Sequence, residues 1–164
     1  MKNLSVSLAL IAITLWVGSL WAIGGIAAPT LFSALPDKQL AGMLAGKLFT
    51  IVAYVGIACG VYLLIFLLAT EGTRAFKQWF FWIVLSMLVL TLIGHFGIQP
   101  IIQHLKVQGG TAEVMQSMVA SRFARWHGIA SILYLIQSLL GLALVLKNRS
   151  GRGMPRPHCL HSAR

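Results

Sequence analysis

Acidic side chains are almost missing from this chain. Asp37, Glu71 and Glu113 are the only three in 164 residues, against 13 lysines and arginines. All three lie outside the long apolar runs, so the buried carboxylate that a proton-driven transporter or ion pump usually needs is absent. Cysteine is as sparse: Cys59 falls inside the second apolar run and Cys159 near the C-terminus, which implies no disulfide framework. The sequence also lacks a CxxC pair, a Walker loop, a nucleophile elbow and an HExxH motif, the usual signatures of redox, nucleotide, acyl-transfer and zinc-protease chemistry.

Apolar residues take the place of charge. The chain is 58% hydrophobic and 10% charged, with a mean hydropathy of +0.84, too apolar for a soluble domain. A hydrocarbon core about 30 Å thick needs about 20 apolar helical residues per crossing. Four runs qualify, from about Leu4 to Ala28, Leu48 to Thr70, Trp79 to Ile98 and Trp126 to Leu146. Backbone groups in lipid must pair within their own segment, so the expected fold is all-α, one four-transmembrane-helix bundle over residues 1–147. Its helices are expected at about 4–28, 37–70, 76–98 and 111–147, with a basic tail at 148–164 that stays disordered against anionic lipid.

The formal charge of +10 does not point to nucleic acid, because the cations flank the apolar runs. With Met1 in the cytoplasm, Lys2, Arg74, Lys77, Lys147, Arg149, Arg152, Arg156 and Arg164 lie inside, and Lys38, Lys47, Lys106, Arg122 and Arg125 outside. The excess predicts both termini on the cytoplasmic side of the membrane. The first run is longer than a signal-peptide core and continues to Pro29, so it is expected to stay as an anchor.

Gly18, Gly24 and Gly25 make the first helix a candidate packing surface for the bundle or for a homo-oligomer, bracketed by Trp16 and Trp21 and ended by Pro29. After the loop LFSALP, Asp37 is placed to cap a second helix of 34 residues, about 51 Å long, which must overshoot the hydrocarbon. The third run ends in GHFGIQP, and a polar segment, QHLKVQGG, comes next. Thr111 can cap the fourth helix, whose first turns carry Val114, Met115, Met118, Val119, Phe123 and Trp126 at amphipathic spacing. The overshooting ends of helices two and four are expected to build a small outer lobe.

The two halves resemble each other. GIAAP at 25–29 matches GIQP at 97–100 with one residue deleted, and GIACGVYLL at 56–64 matches GIASILYLI at 128–136. Duplication would give two hairpins related by a pseudo-two-fold along the membrane normal. In that alignment His95 stands over Gly24, Arg125 over Ala53 and His127 over Val55, so the second half carries the polar groups.

Those groups are the candidate site. His95, Gln99 and His127 fall at similar depth near the outer boundary, where two imidazoles could ligate haem b iron or copper, with Met115 or Met118 as a softer ligand. Boundary histidines can equally bond a backbone carbonyl or a headgroup. Arg122 and Arg125, three apart on one helix, can reach lipid phosphates while Trp126 takes the interfacial belt, or they can form an anion site closed by His127 and His95. HCLH in the tail is a short tract that could bind metal.

GSLWAIGGIAAPTLFSAL, AGKLFTIVAYVGIACGVYLL and the F-x-R-W-H-G-x-A-S motif at Phe123 to Ser131 resemble the bacterial branch of the transmembrane-protein-205-like family, also described as domain of unknown function 4149. The likeness runs from about Leu8 to Leu146 and implies a four-helix inner-membrane protein without an assigned biochemical activity. The architecture is more distantly similar to the copper-resistance D family and to membrane-bound protoporphyrinogen oxidases, which use histidines near helix ends. Without a residue-by-residue match, no catalytic role carries over to His95 or His127.

Overall fold

The computed structural model describes residues 2–108 and 113–149. Thr111 and the tail from Ser150 lie outside the described residues, as do the side chains of Met115 and Met118. The described residues form six α-helices: α1 (Lys2–Trp21), α2 (Ala28–Ala34), α3 (Lys38–Glu71), α4 (Trp79–Leu92), α5 (Gln99–Gln108) and α6 (Glu113–Arg149). Two six-residue π-helical segments, Ala22–Ala27 and Ile93–Ile98, join α1 to α2 and α4 to α5. The result is four helical rods, each long and apolar enough to cross a membrane: Leu4–Ala34, Leu40–Lys77, Trp79–Ile102 and Ala124–Lys147.

Two of these rods run further than hydropathy suggested. Neither Pro29 nor Pro100 ends its helix, and most of LFSALP is α2. Proline lacks the N–H that an α-helix bonds four residues back, and its ring crowds that carbonyl. Here the backbone has already widened to five-residue hydrogen bonding before each proline. The Ala28 N–H donates to the Ile23 carbonyl and the Gln99 N–H to the Gly94 carbonyl. Each proline then stands in the first turn of a fresh helix, where a missing N–H is tolerated.

The two π segments share a constant offset of 71 residues, and so do the two prolines. This register aligns the π segments and the prolines without the deletion that the GIAAP and GIQP match required, while the long helices that follow match at an offset of 72. Each half therefore has the same order of elements: a helix, a π segment, a proline-led helix, then a long helix. The first half closes its turn at Asp37, whose Oδ1 accepts the Leu40 N–H at 3.2 Å as an N-cap. Between the halves, α3 ends at Glu71, and a 3₁₀ turn (Gly72–Lys77), opened by Gly72 at a φ of 57° that suits glycine, leads into α4.

The rods pack as a closed ring: α1 on α3, α3 on α4, α4 on α6, and α6 back on α1. A close seam runs between α1 and α3. Trp16 is fully buried there, lying across Gly56 and Gly60 one helical turn apart. A Cβ on Gly56 would lie 2.5 Å from Trp16 Nε1, and one on Gly60 3.0 Å from the ring. Trp16 is thus an interior knob rather than a boundary marker, and among the described residues its Nε1–H finds no acceptor. Gly141 of α6 makes a second notch, against Val17 and Met87. Such small-residue seams let helices associate where lipid offers no hydrophobic drive.

Polar contacts add direction to the packing. Between α4 and α6, the buried Gln137 donates from Nε2 to Thr91 Oγ1 at 2.7 Å, and Thr91 donates on to the Met87 carbonyl at 2.8 Å. At the Gly72 end, Lys147 sits 4.7 Å from the Trp79 ring centroid, and Trp82 Nε1 donates to the Phe76 carbonyl at 3.0 Å. This end carries exposed Trp79, Trp82 and Phe76, an aromatic girdle of the kind found at headgroup level.

Candidate functional site

Each π segment is met by a tyrosine from a neighbouring long helix, and the two meetings involve equivalent positions. On the first segment, the Tyr134 ring of α6 covers Gly24, and its hydroxyl donates to the Leu20 carbonyl at 2.5 Å. Phe49 of α3 packs edge-on against the same ring, with centroids 5.1 Å apart. On the second segment, the residue 71 positions after Gly24 is His95. Its half-buried ring lies edge-on to Tyr54 of α3 at 4.9 Å and to Phe96 at 4.8 Å.

Gln99 turns the same way as His95. Its Nε2 donates to the Gly46 carbonyl of α3 at 3.2 Å, so Gln99 and His95 both fasten the third rod to α3. His127 is exposed on α6, where Ser131 Oγ donates to its carbonyl at 2.9 Å. Arg122 and Arg125 are exposed on the same helix, and with Trp126 and Ile129 they line an open groove of about 340 Å³. The five candidate residues therefore divide into two groups: His95 and Gln99 against α3, and Arg122, Arg125 and His127 along α6. Among the described residues, no group of three or more His, Cys, Asp or Glu is placed to hold a metal ion.

The packing surface read from Gly18, Gly24, Gly25 and Pro29 is narrower than expected. A Cβ on Gly24 would run into Tyr134, whereas one on Gly18 or Gly25 would meet nothing within 4 Å, and Pro29 is exposed. The close approaches fall on Gly56, Gly60 and Gly141 instead. Sequence reasoning also passed over Tyr134, Tyr54 and Gln137. An intramembrane glutamine was a usable signal for the last, since an amide in lipid must find a partner.

The Gln99 bond gives a direct test of this arrangement. Gln99→Leu should lower stability in mild detergent by about 1 kcal/mol, the usual worth of one such bond. An unfolding midpoint unchanged by the substitution would mean that α5 and α3 are not tied there.

Four helices of crossing length, packed in a ring with tyrosine and glutamine fasteners, define a class: a multi-pass helical-bundle membrane protein. The particular family is set by the sequence. Residues 11–111 match the model of the family described as Domain of unknown function (DUF4149), and the chain belongs to it. The matched region holds both π segments, His95 and Gln99, and stops before α6. No curated protein and no solved structure matches the chain.

Proposed function

We propose that this is a bacterial inner-membrane protein with both termini in the cytoplasm, acting through contacts made at its outward end rather than by catalysis. The observation that carries this reading is how the polar residues at that end are used. Gln99 is bonded to the Gly46 carbonyl, His95 is packed on Tyr54, and Tyr134 is bonded to the Leu20 carbonyl. What faces outward is a cationic and aromatic surface of Arg122, Arg125 and Trp126. The excess of lysine and arginine at the opposite end supports the orientation.

The native cysteines provide the test. Cys59 is buried in the bundle, which leaves Cys159 of the tail as the thiol to probe. In intact spheroplasts an impermeant maleimide should leave Cys159 unlabelled until the membrane is opened, while an Arg122→Cys variant should label at once. Labelling of Cys159 from outside would invert the orientation. An absorption spectrum of protein purified from haem- and copper-replete cells tests the contact role. A Soret band or stoichiometric copper lost in His127→Ala would replace it with a redox function.

A further inference from the structure

We infer that the groove formed by Arg122, Arg125, Trp126 and Ile129 is a binding site for the phosphate-bearing headgroup of an anionic phospholipid. This inference rests on the proposed contact role and names the partner.

The four residues recur at three- and four-residue spacing along one face of α6. Their chemistry is ordered along the helix axis. Arg122 stands just before the membrane-crossing stretch Ala124–Lys147, Arg125 and Trp126 occupy its first turn, and Ile129 lies one turn deeper. From Arg122 to Ile129 is about 10 Å at 1.5 Å per residue. A phospholipid presents the same order over a similar depth: phosphate, glycerol backbone, first acyl carbons. Guanidinium groups match phosphate oxygens in pairs, and the indole suits the glycerol level between them and the chains.

Charge complementarity also favours an anionic lipid over a zwitterionic one. The two guanidiniums lie side by side in the groove, and the chain has only three acids in all that could compete for them. A groove of about 340 Å³ holds a headgroup but not a whole lipid. The acyl chains would therefore remain in the bilayer, lying along the exposed Ile129 and Ile132 of α6.

The test uses the full-length chain in nanodiscs of phosphatidylcholine containing a minor fraction of phosphatidylglycerol. After exchange into mild detergent, the lipid retained by the protein is counted. Wild type should be enriched at least threefold in phosphatidylglycerol over the bulk ratio, and R122Q/R125Q should return to that ratio. Tens of millimolar inorganic phosphate, added as a competitor, should displace little of the lipid if the chains contribute, and all of it if the groove is a free-phosphate site.

Full-length chain with Arg152, Arg156 and Arg164 changed to glutamine controls for the tail and should keep the enrichment. Lipid retention that is unselective in wild type, survives R122Q/R125Q, or is lost only in the tail variant overturns the proposal. Complete displacement by phosphate overturns the lipid assignment. Because both leaflets are accessible in a nanodisc, the outcome does not depend on orientation. Selective retention by a protein of inverted topology would refute the proposed placement and leave the site standing.

Discussion

Gly56→Ala is expected to lower the stability of the bundle by about 1–3 kcal/mol, the usual cost of forcing volume into a filled interior. The added methyl would lie 2.5 Å from Trp16 Nε1 and 3.2 Å from the adjoining ring carbons, and the indole is fully buried with no free side to move into. Gly60 fixes the other end of the same ring, so a small tilt that relieves one contact tightens the other. Gly18→Ala on α1 is the matched control. It adds the same methyl where nothing lies within 4 Å, and it should be neutral or stabilising because alanine is the better helix former. Unfolding in a denaturing-detergent titration, followed by tryptophan fluorescence, separates the two. Equal losses at both positions would mean that Trp16 does not occupy the Gly56 notch. Trp16→Ala should cost more than either, about 3–5 kcal/mol, because it leaves the largest cavity.

The second large effect falls on two adjacent glycines that the sequence does not distinguish. Gly24→Ala should destabilise the protein by about 2 kcal/mol, and Gly25→Ala should not. A Cβ on Gly24 enters the Tyr134 ring, and that ring cannot simply swing away. Its hydroxyl is held by the Leu20 carbonyl and one edge by Phe49. The substitution therefore costs overpacking and a hydrogen bond together. Tyr134→Phe removes the bond alone and should cost about 1 kcal/mol. In the double variant Gly24→Ala with Tyr134→Ala, the penalty at Gly24 should disappear, since the methyl then fills space the ring has left. Strictly additive losses in that cycle would refute the contact.

Much of this fold is legible in the sequence because lipid permits so few backbone solutions. Four apolar runs became four rods, and Asp37 caps α3 as its place before an apolar run suggests. Arg122, Arg125 and Trp126 line one groove of α6, and of these the spacing had put only Arg122 and Arg125 on a common face, since residues three and four apart are neighbours on a helix. The direction in which the residues near each proline turn could not be read. Hydropathy carries no mark of a switch from four-residue to five-residue hydrogen bonding. Every extra residue rotates the remainder of the helix by about 100° around its axis. The switch in Ile93–Ile98 accompanies a His95 that faces Tyr54 and a Gln99 that faces Gly46, both on α3. Glycine composition failed for a related reason. Gly18 and Gly56 look alike in sequence, but only Gly56 has a tryptophan from another helix laid across it.

The paired π segments also bear on the order in which this molecule was assembled. A π segment holds one residue more than the α-helical stretch it replaces, so it records a small lengthening of the chain. Both lengthenings stand 71 residues apart, each succeeded at the same interval by proline. If the two hairpins descend from one, that residue entered the ancestral hairpin before it was copied. Changes that distinguish the halves, such as His95 where the first has Gly24 and Gln99 where it has Ala28, came afterwards. The ancestor would then have been a two-helix protein working as a parallel pair, its first helix already carrying the π segment and the proline.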